Sequence, residues 1–296
     1  MQVFILGGTG SIGTAIVAEL VKRSHKALGL SRSENSDQKL QSLGATPLRG
    51  DLAEPVVWAE TALSCDAIIQ VAATFEDNMG DVDATAMSGL MRAAERRSEK
   101  RRLIYTGGCW LYGETGDGVA TECWPFNPLP SFAWMVAHAQ MLLESHHFST
   151  AVVHPAMVYH TGDGGVFRRY LSAAKAGQPI EIWGSAATRW PLIERSDLAR
   201  IYCDLAERPE LVGHFNAVAE EGVAVGEIAS AISDAYGLPH EVTVRRDEDV
   251  IAEYGAWAKG PMLDQQMSGQ KVKTALGWGP VFADYRCSDV IRKVEK

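Results

Sequence analysis

The chain opens with the apolar run Val3-Phe4-Ile5-Leu6, a cluster of glycines from Gly7 to Gly13, and an amphipathic stretch from Thr14 to Lys22. That order predicts a strand, a tight turn and a helix. The pattern then repeats. Ala27 to Leu30 predicts a second strand, Asp37 to Leu43 a helix stopped by Gly44, and Thr46 to Leu52 a third strand running into a loop. Val56 to Leu63 reads as helix and Ala67 to Ala73 as an apolar strand closed by small residues. Met87, Leu90, Met91 and Ala94 recur at helical spacing, which predicts a core or helix-pair face. Leu103 to Thr106 is a fifth strand, Ser131 is the expected cap of a helix from Phe132 to His146, and Val152 to Pro155 is a sixth strand. Alternating strands and helices imply a doubly wound parallel α/β sheet covered on both faces.

Beyond residue 160 the pattern loosens into helix 166–176, strand 180–182, and helices 196–207 and 225–236. We therefore expect a Rossmann domain over 1–160, and over 161–296 the end of its sheet interwoven with a smaller substrate-binding lobe. The segment Arg92 to Arg102 is rich in arginine but interleaved with Glu95 and Glu99, so it reads as a solvated helix face.

The glycine cluster carries the first chemistry. Gly7-x-x-Gly10-x-x-Gly13 between a strand and a helix seats a dinucleotide pyrophosphate on free N–H groups at the positive end of the helix dipole. Gly7, Thr9, Gly10, Ser11, Ile12 and Gly13 are accordingly cofactor-binding candidates. The second strand ends in Ser31-Arg32-Ser33, with no acid there to meet ribose hydroxyls. An arginine at that place pairs with a 2′-phosphate, so NADP is expected over NAD.

Composition narrows the function further. The 28 basic and 37 acidic residues leave a net charge of −9, which argues against a general binder of nucleic acid or anionic membranes. Five dispersed cysteines show no metal-ligand spacing and suit a reducing compartment, and no metal site is expected. With the first strand starting at residue 2 and no apolar run near ~20 residues, the expectation is a cytoplasmic protein without a membrane span.

The chain resembles the extended and atypical short-chain dehydrogenase/reductases, the superfamily of sugar-nucleotide epimerases and related reductases. Besides the glycine motif, the resemblance rests on Gly50-Asp51-Leu52, Tyr105-Thr106 leading to Leu111-Tyr112-Gly113, His154-Pro155-x-x-Val158-Tyr159, Arg189-Trp190 before Ser196-Asp197-Leu198-Ala199, and Leu276-Gly277-Trp278-Gly279-Pro280. It covers nearly the whole chain. It implies cofactor contacts at Asp51, Leu52, Ala72, Ala73, Thr106, His138 and Pro155, substrate contacts at Trp110 and Arg189, and a homodimer through the helices holding Met87 and Phe132.

The resemblance breaks at the catalytic set. The family's Tyr-x-x-x-Lys pair aligns with Trp134 and His138, and its Ser or Thr with Gly108. Indole does not ionise usefully, and glycine offers only backbone. Tyr112, His138 and Trp134 are therefore the residues placed at the reaction centre, with Cys109 and His154 as weaker candidates. Three readings stay open: an NADP(H)-dependent oxidoreductase of a small, rather apolar carbonyl or enone, a non-enzymatic dinucleotide sensor, and a sugar-nucleotide epimerase or dehydratase.

Overall fold

The computed structural model describes residues 1–74 and 76–291. In chain order the elements are β1 (Gln2–Leu6), α1 (Ser11–Lys22), β2 (Lys26–Ser31), α2 (Glu34–Ser42), β3 (Thr46–Arg49), α3 (Pro55–Leu63), β4 (Ala67–Gln70), α4 (Met79–Ala94), β5 (Arg101–Thr106), α5 (Ala133–Glu144) and β6 (Phe148–Pro155). There follow β7 (Met157–His160), β8 (Gly164–Gly165), α6 (Arg168–Lys175), β9 (Ile180–Trp183), β10 (Arg189–Glu194), α7 (Arg195–Ala206) and β11 (Gly213–Ala217). The chain continues through β12 (Glu220–Ala224), α8 (Val225–Tyr236), β13 (Val242–Arg245), α9 (Asp247–Tyr254) and α10 (Gln270–Leu276).

The chain divides into two compact units whose segments alternate. Unit 1 comprises Met1–Gly107, Trp134–Val153 and Leu198–Phe215; unit 2 holds Gly108–Ala133, His154–Asp197 and the described residues from Asn216 onward. Set beside the cut expected after residue 160, segment 108–133 sits with the later chain and Leu198–Phe215 with the earlier.

Unit 1 is built on a seven-stranded sheet of order β11-β6-β5-β4-β1-β2-β3. From β6 to β3 every neighbouring pair is parallel. The order reverses beside β1, whose neighbours are β2 and β4, and ligands of open α/β sheets bind outside the carboxyl ends of the strands at such a point. Pro47, which has no N–H to donate, is tolerated because β3 is an edge strand. The wholly buried strand Ala67-Ile68-Ile69-Gln70 is covered on both faces. On one side Phe4, Ile68, Leu103 and Val152 pack with Trp58, Met87, Leu90 and Leu142. Met87 and Leu90 are fully buried, so the predicted stripe on α4 is core.

Two local readings need correction. The fifth helix does not begin at Phe132: Pro130–Phe132 is a 3-10 turn, and α5 starts at Ala133. Nor is Arg92–Arg102 one solvated helix face, because α4 stops at Ala94 and Arg102 lies buried on β5. Its guanidinium donates to the carbonyls of Leu205 (2.9 Å), Ser149 (3.0 Å) and Leu211 (2.8 Å), and burial lowers its pKa to about 10. A fork of five donors can satisfy several orphan carbonyls at once, a geometry that periodicity does not reveal.

Unit 2 contains a four-stranded sheet of order β12-β10-β7-β8 and the parallel pair β13-β9. Two of its acids, buried Asp197 and half-buried Glu220, are answered by backbone donors. Asp197 accepts the N–H groups of Val281 and Phe282, each at 3.0 Å, and Glu220 accepts that of Tyr285 at 2.8 Å. Burial outweighs the Tyr285 bond and pushes the Glu220 carboxyl from 4.5 up to about 7.

The folded chain therefore keeps the Glu220 proton to about pH 7, whereas the unfolded chain releases it near 4.5. The resulting stabilisation is full below the unfolded value and is lost as pH rises through the folded one. Glu220→Gln keeps an acceptor for Tyr285 and cannot ionise. It should exceed the wild type in stability by about 1–2 kcal/mol at about pH 8 and lose that margin towards pH 5. Urea unfolding of both proteins across this range is the check, and a margin independent of pH would contradict it.

Candidate cofactor site

Because the strands of unit 1 run parallel, their carboxyl ends share one edge of the sheet. That edge gathers Gly7 to Gly13 after β1, Ser31 and Arg32 at the end of β2, Asp51 and Leu52 after β3, Ala72 and Ala73 after β4, and Thr106 ending β5. The sequence-predicted cofactor residues of this unit are thus brought together by topology.

The three motif glycines do different work. Gly7 has φ +89°, and a Cβ there would lie 2.6 Å from the Ala72 backbone. At Gly13 a Cβ would lie 2.0 Å from the Gly7 carbonyl oxygen, so that glycine lets α1 close on the turn. Gly10 differs. It has φ −73° and ψ 176°, open to any residue, and its Cβ would meet only the Gly7 oxygen, at 3.3 Å. Gly10 stands at the N-cap of α1 with no side-chain cap, and no acid occupies the helix's first turn. Its N–H bonds Gly7 O at 3.0 Å, while the first-turn N–H groups of α1 lack intrahelical partners by construction. This cradle, with no side chain at Gly10, fits a pyrophosphate.

Arg32 is exposed and has no hydrogen-bond or ion-pair partner among the described residues. It lies just before α2, whose N-cap Ser33 accepts from Ser36 N–H at 3.2 Å. Ser31 donates to Ser33 O at 3.1 Å. Sequence reasoning missed Lys39, whose Nζ donates to Thr9 O of the glycine turn at 2.7 Å, and Arg49, which pairs with Asp37. Asp51 is engaged locally: its Oδ1 accepts Ala53 N–H at 2.9 Å and its carbonyl accepts Trp58 Nε1–H at 2.8 Å.

On α5, Trp134 and His138 lie one turn apart with ring centroids at 5.1 Å. The indole is seated against α4 at Gly80, where a Cβ would stand 3.0 Å from Trp134 Cγ. Nδ1 of His138 lies 2.7 Å from Oδ2 of Asp83, a buried carboxylate on α4. That carboxylate also accepts from Tyr105 OH (2.7 Å) and Gln70 Nε2 (2.6 Å), and Gln70 Oε1 accepts Ala72 N–H at 2.9 Å. Burial and the Asp83 charge push the Tyr105 phenol far above its ordinary range, so it remains a donor. Thr106 Oγ1 donates to Gln70 O at 2.5 Å and lies 2.7 Å from Tyr202 OH. Asp83, Gln70 and Gly80 left no sequence signal, because each is an isolated residue whose partner is set by topology.

The candidates in unit 2 are more constrained. Tyr112 is buried, donates to Asn216 Oδ1 at 2.7 Å and packs on Phe126 and His154, so this setting makes it a packing residue rather than a proton donor. Burial pushes the Cys109 thiol up to about 12, which removes it as a nucleophile near neutral pH. His154, fully buried at the end of β6, receives the Gly108 N–H on Nδ1 at 3.3 Å; Pro155 beside it is also buried. Arg189 is engaged by Asp264, at 2.9 Å through Nε and 2.5 Å through Nη2, rather than free for an anionic substrate. Trp110 packs on Phe132 at 5.4 Å and against Gly260. Gly108 has extended backbone, and a Cβ there meets nothing within 4 Å.

Comparison with known proteins agrees with this architecture. The family described as "NAD dependent epimerase/dehydratase family" matches residues 3–218. A Schizosaccharomyces pombe protein, C2A9.02, is 26% identical over 285 residues, covering 95% of each chain. The 2-alkyl-3-oxoalkanoate reductase of Stenotrophomonas maltophilia is 25% identical over 294 residues, covering 95% of this chain and 82% of its own. Among solved structures, the human epimerase family protein SDR39U1 (isoform 2) with NADPH superposes with a TM-score of 0.80 at 22% identity, covering 98% of both chains. Among the described residues no helix is long and apolar enough to cross a membrane, and no group of acidic, histidine or cysteine side chains could hold a metal.

The glycine geometry separates folding from binding. Gly13→Ala should lower thermal stability by several kcal/mol, because its methyl meets backbone. Gly10→Ala should unfold within about 1 kcal/mol of the wild type yet lose calorimetric binding of NADPH. A Gly10→Ala protein that binds normally would show that the turn does not carry the pyrophosphate.

Proposed function

Since the chain belongs to the NAD-dependent epimerase/dehydratase family, we propose that it is an NADP(H)-dependent oxidoreductase of a small, rather apolar carbonyl or enone compound. The observation that carries this reading is Arg32, unpaired and exposed at the carboxyl end of β2 with no acid at the strand end. A charge-assisted bond to a 2′-phosphate favours NADP, the phosphorylated cofactor, over NAD. The bound cofactor supplies hydride chemistry, for which the protein's task is positioning.

The chain's own groups divide that task. The α1 N-terminus and the open Gly10 hold the pyrophosphate, Arg32 the 2′-phosphate, and His138 the nicotinamide ribose. Trp134 closes the site with an apolar, non-ionising ring. The positions that the resemblance aligns with the Tyr–Lys pair of epimerase and dehydratase chemistry hold Trp134 and His138, so reduction of a preformed carbonyl, with the proton drawn from water or imidazole, is the simpler demand. The alkyl-bearing 3-oxo acid named for the Stenotrophomonas relative supports a carbonyl substrate of this character. With Arg189 held by Asp264, substrate recognition rests on aromatic surface such as Trp110.

A second reading, a dinucleotide sensor without turnover, draws on the burial of Tyr112 and Cys109. Titration and turnover separate the two. The wild type should bind NADPH roughly ten- to a hundredfold more tightly than NADH, a preference that Arg32→Ala removes. It should also oxidise NADPH steadily with at least one member of a panel of alkyl 3-oxo acids, ketones and enones. Equal affinities would overturn the NADP assignment, and binding without oxidation across the panel would favour the sensor.

A further inference from the structure

The polar cluster under α5 fixes more than the place of His138. Gln70 Oε1 accepts the Ala72 N–H at 2.9 Å, which leaves only the amide's NH2 to face Asp83 Oδ1 at 2.6 Å. The Gln70 amide therefore has one orientation, and Asp83 Oδ1 must accept. Oδ2 meets Tyr105 OH and His138 Nδ1, each at 2.7 Å. Gln70 Nε2 and Tyr105 OH both donate to this buried acid, and a carboxylate has lone pairs for both and a further one for the imidazole. The ring nitrogen facing it must then carry a proton.

We propose that Asp83 is a positioning residue that locks His138 in the Nδ1–H tautomer, making Nε2 a hydrogen-bond acceptor for a ribose hydroxyl. This rests on the reading above that residue 138 meets the nicotinamide ribose. It inverts the polarity of the contact: the lysine that the resemblance places here only donates, whereas an imidazole in this tautomer accepts a hydrogen bond from the hydroxyl on Nε2. Nε2 has no partner among the described residues, and the side chain keeps 16% of its exposure. The same cluster ties the imidazole to the glycine turn, since Gln70 also holds the Ala72 N–H, and Ala72 backbone is what presses on Gly7.

Nitrogen-15 NMR of histidine-labelled full-length protein reads the tautomer directly, with the His138 signals identified by their loss in His138→Gln. At a pH where the ring is neutral, the wild type should show a protonated Nδ1 and a bare Nε2. Asp83→Asn presents its oxygen to Gln70 and its NH2 to the imidazole, so the tautomer should switch to Nε2–H. Adding NADPH to the wild type should move the Nε2 resonance upfield and leave Nδ1 protonated. An Nε2–H wild type, or an Asp83→Asn protein that stays Nδ1–H, overturns the inference about Asp83. The wild-type measurement decides the matter even where the variant does not fold. NADPH that binds in calorimetry without moving Nε2 overturns the ribose contact while the tautomer result stands, and an absence of binding counts against the functional reading alone.

Discussion

The contact between Gly7 and Ala72 sets the dimensions of unit 1's ligand edge. Only a residue without Cβ, in a left-handed conformation, lets the turn after β1 press against the chain leaving β4. That closeness places α1's N-terminus over the edge where the strand order reverses, and Gly13 lets the helix settle onto the same turn. A phosphate at this turn would be met by backbone N–H groups, and at Gly10 no side chain stands in its way.

The opposite end of that contact is polar. Ala72 is held by Gln70, Gln70 by Asp83, and Asp83 also by Tyr105 and His138. Buried groups of this kind are stable only when every donor and acceptor is matched, so the cluster behaves as a unit: each member's orientation is dictated by the next. Two β-strands and two helices meet in it. The rigidity of the ligand edge and the chemistry of the imidazole thus have a common source.

What was legible in the sequence follows from what each signal depends on. The first strand, the glycine turn, α1 and α8 could be read because periodicity and conformational demand are local properties. Arg32 could be placed because the end of the second strand is itself a local signal, and it does lie exposed just after β2. Asp83 could not, as it lies in the opening turns of α4, ahead of the Met87 stripe that announces the helix, and its partners are 13, 22 and 55 residues away. Arg102 was disguised by its charged neighbours: four arginines between residues 96 and 102 look alike in composition, yet only Arg102 is buried. Tyr112 and Arg189 sit at motif positions, but a motif records position and leaves unsaid whether Asn216 or Asp264 already holds the side chain.

The positions that the resemblance aligns with the catalytic hydroxyl and tyrosine, Gly108 and Trp134, differ in what a substitution there would entail. At Gly108 the backbone is extended and the space beyond its Cα is open, so a serine could be installed by one substitution without disturbing a neighbour. Trp134 is different, for its indole lies against Gly80, where even a methyl would force the ring to give. A tyrosine at 134 would leave the surface above Gly80 underfilled, and a side chain added at 80 would crowd the tryptophan. The pair can be changed together more easily than in either order singly. Residue 108 can thus take a side chain on its own, whereas any change at residue 134 is tied to residue 80.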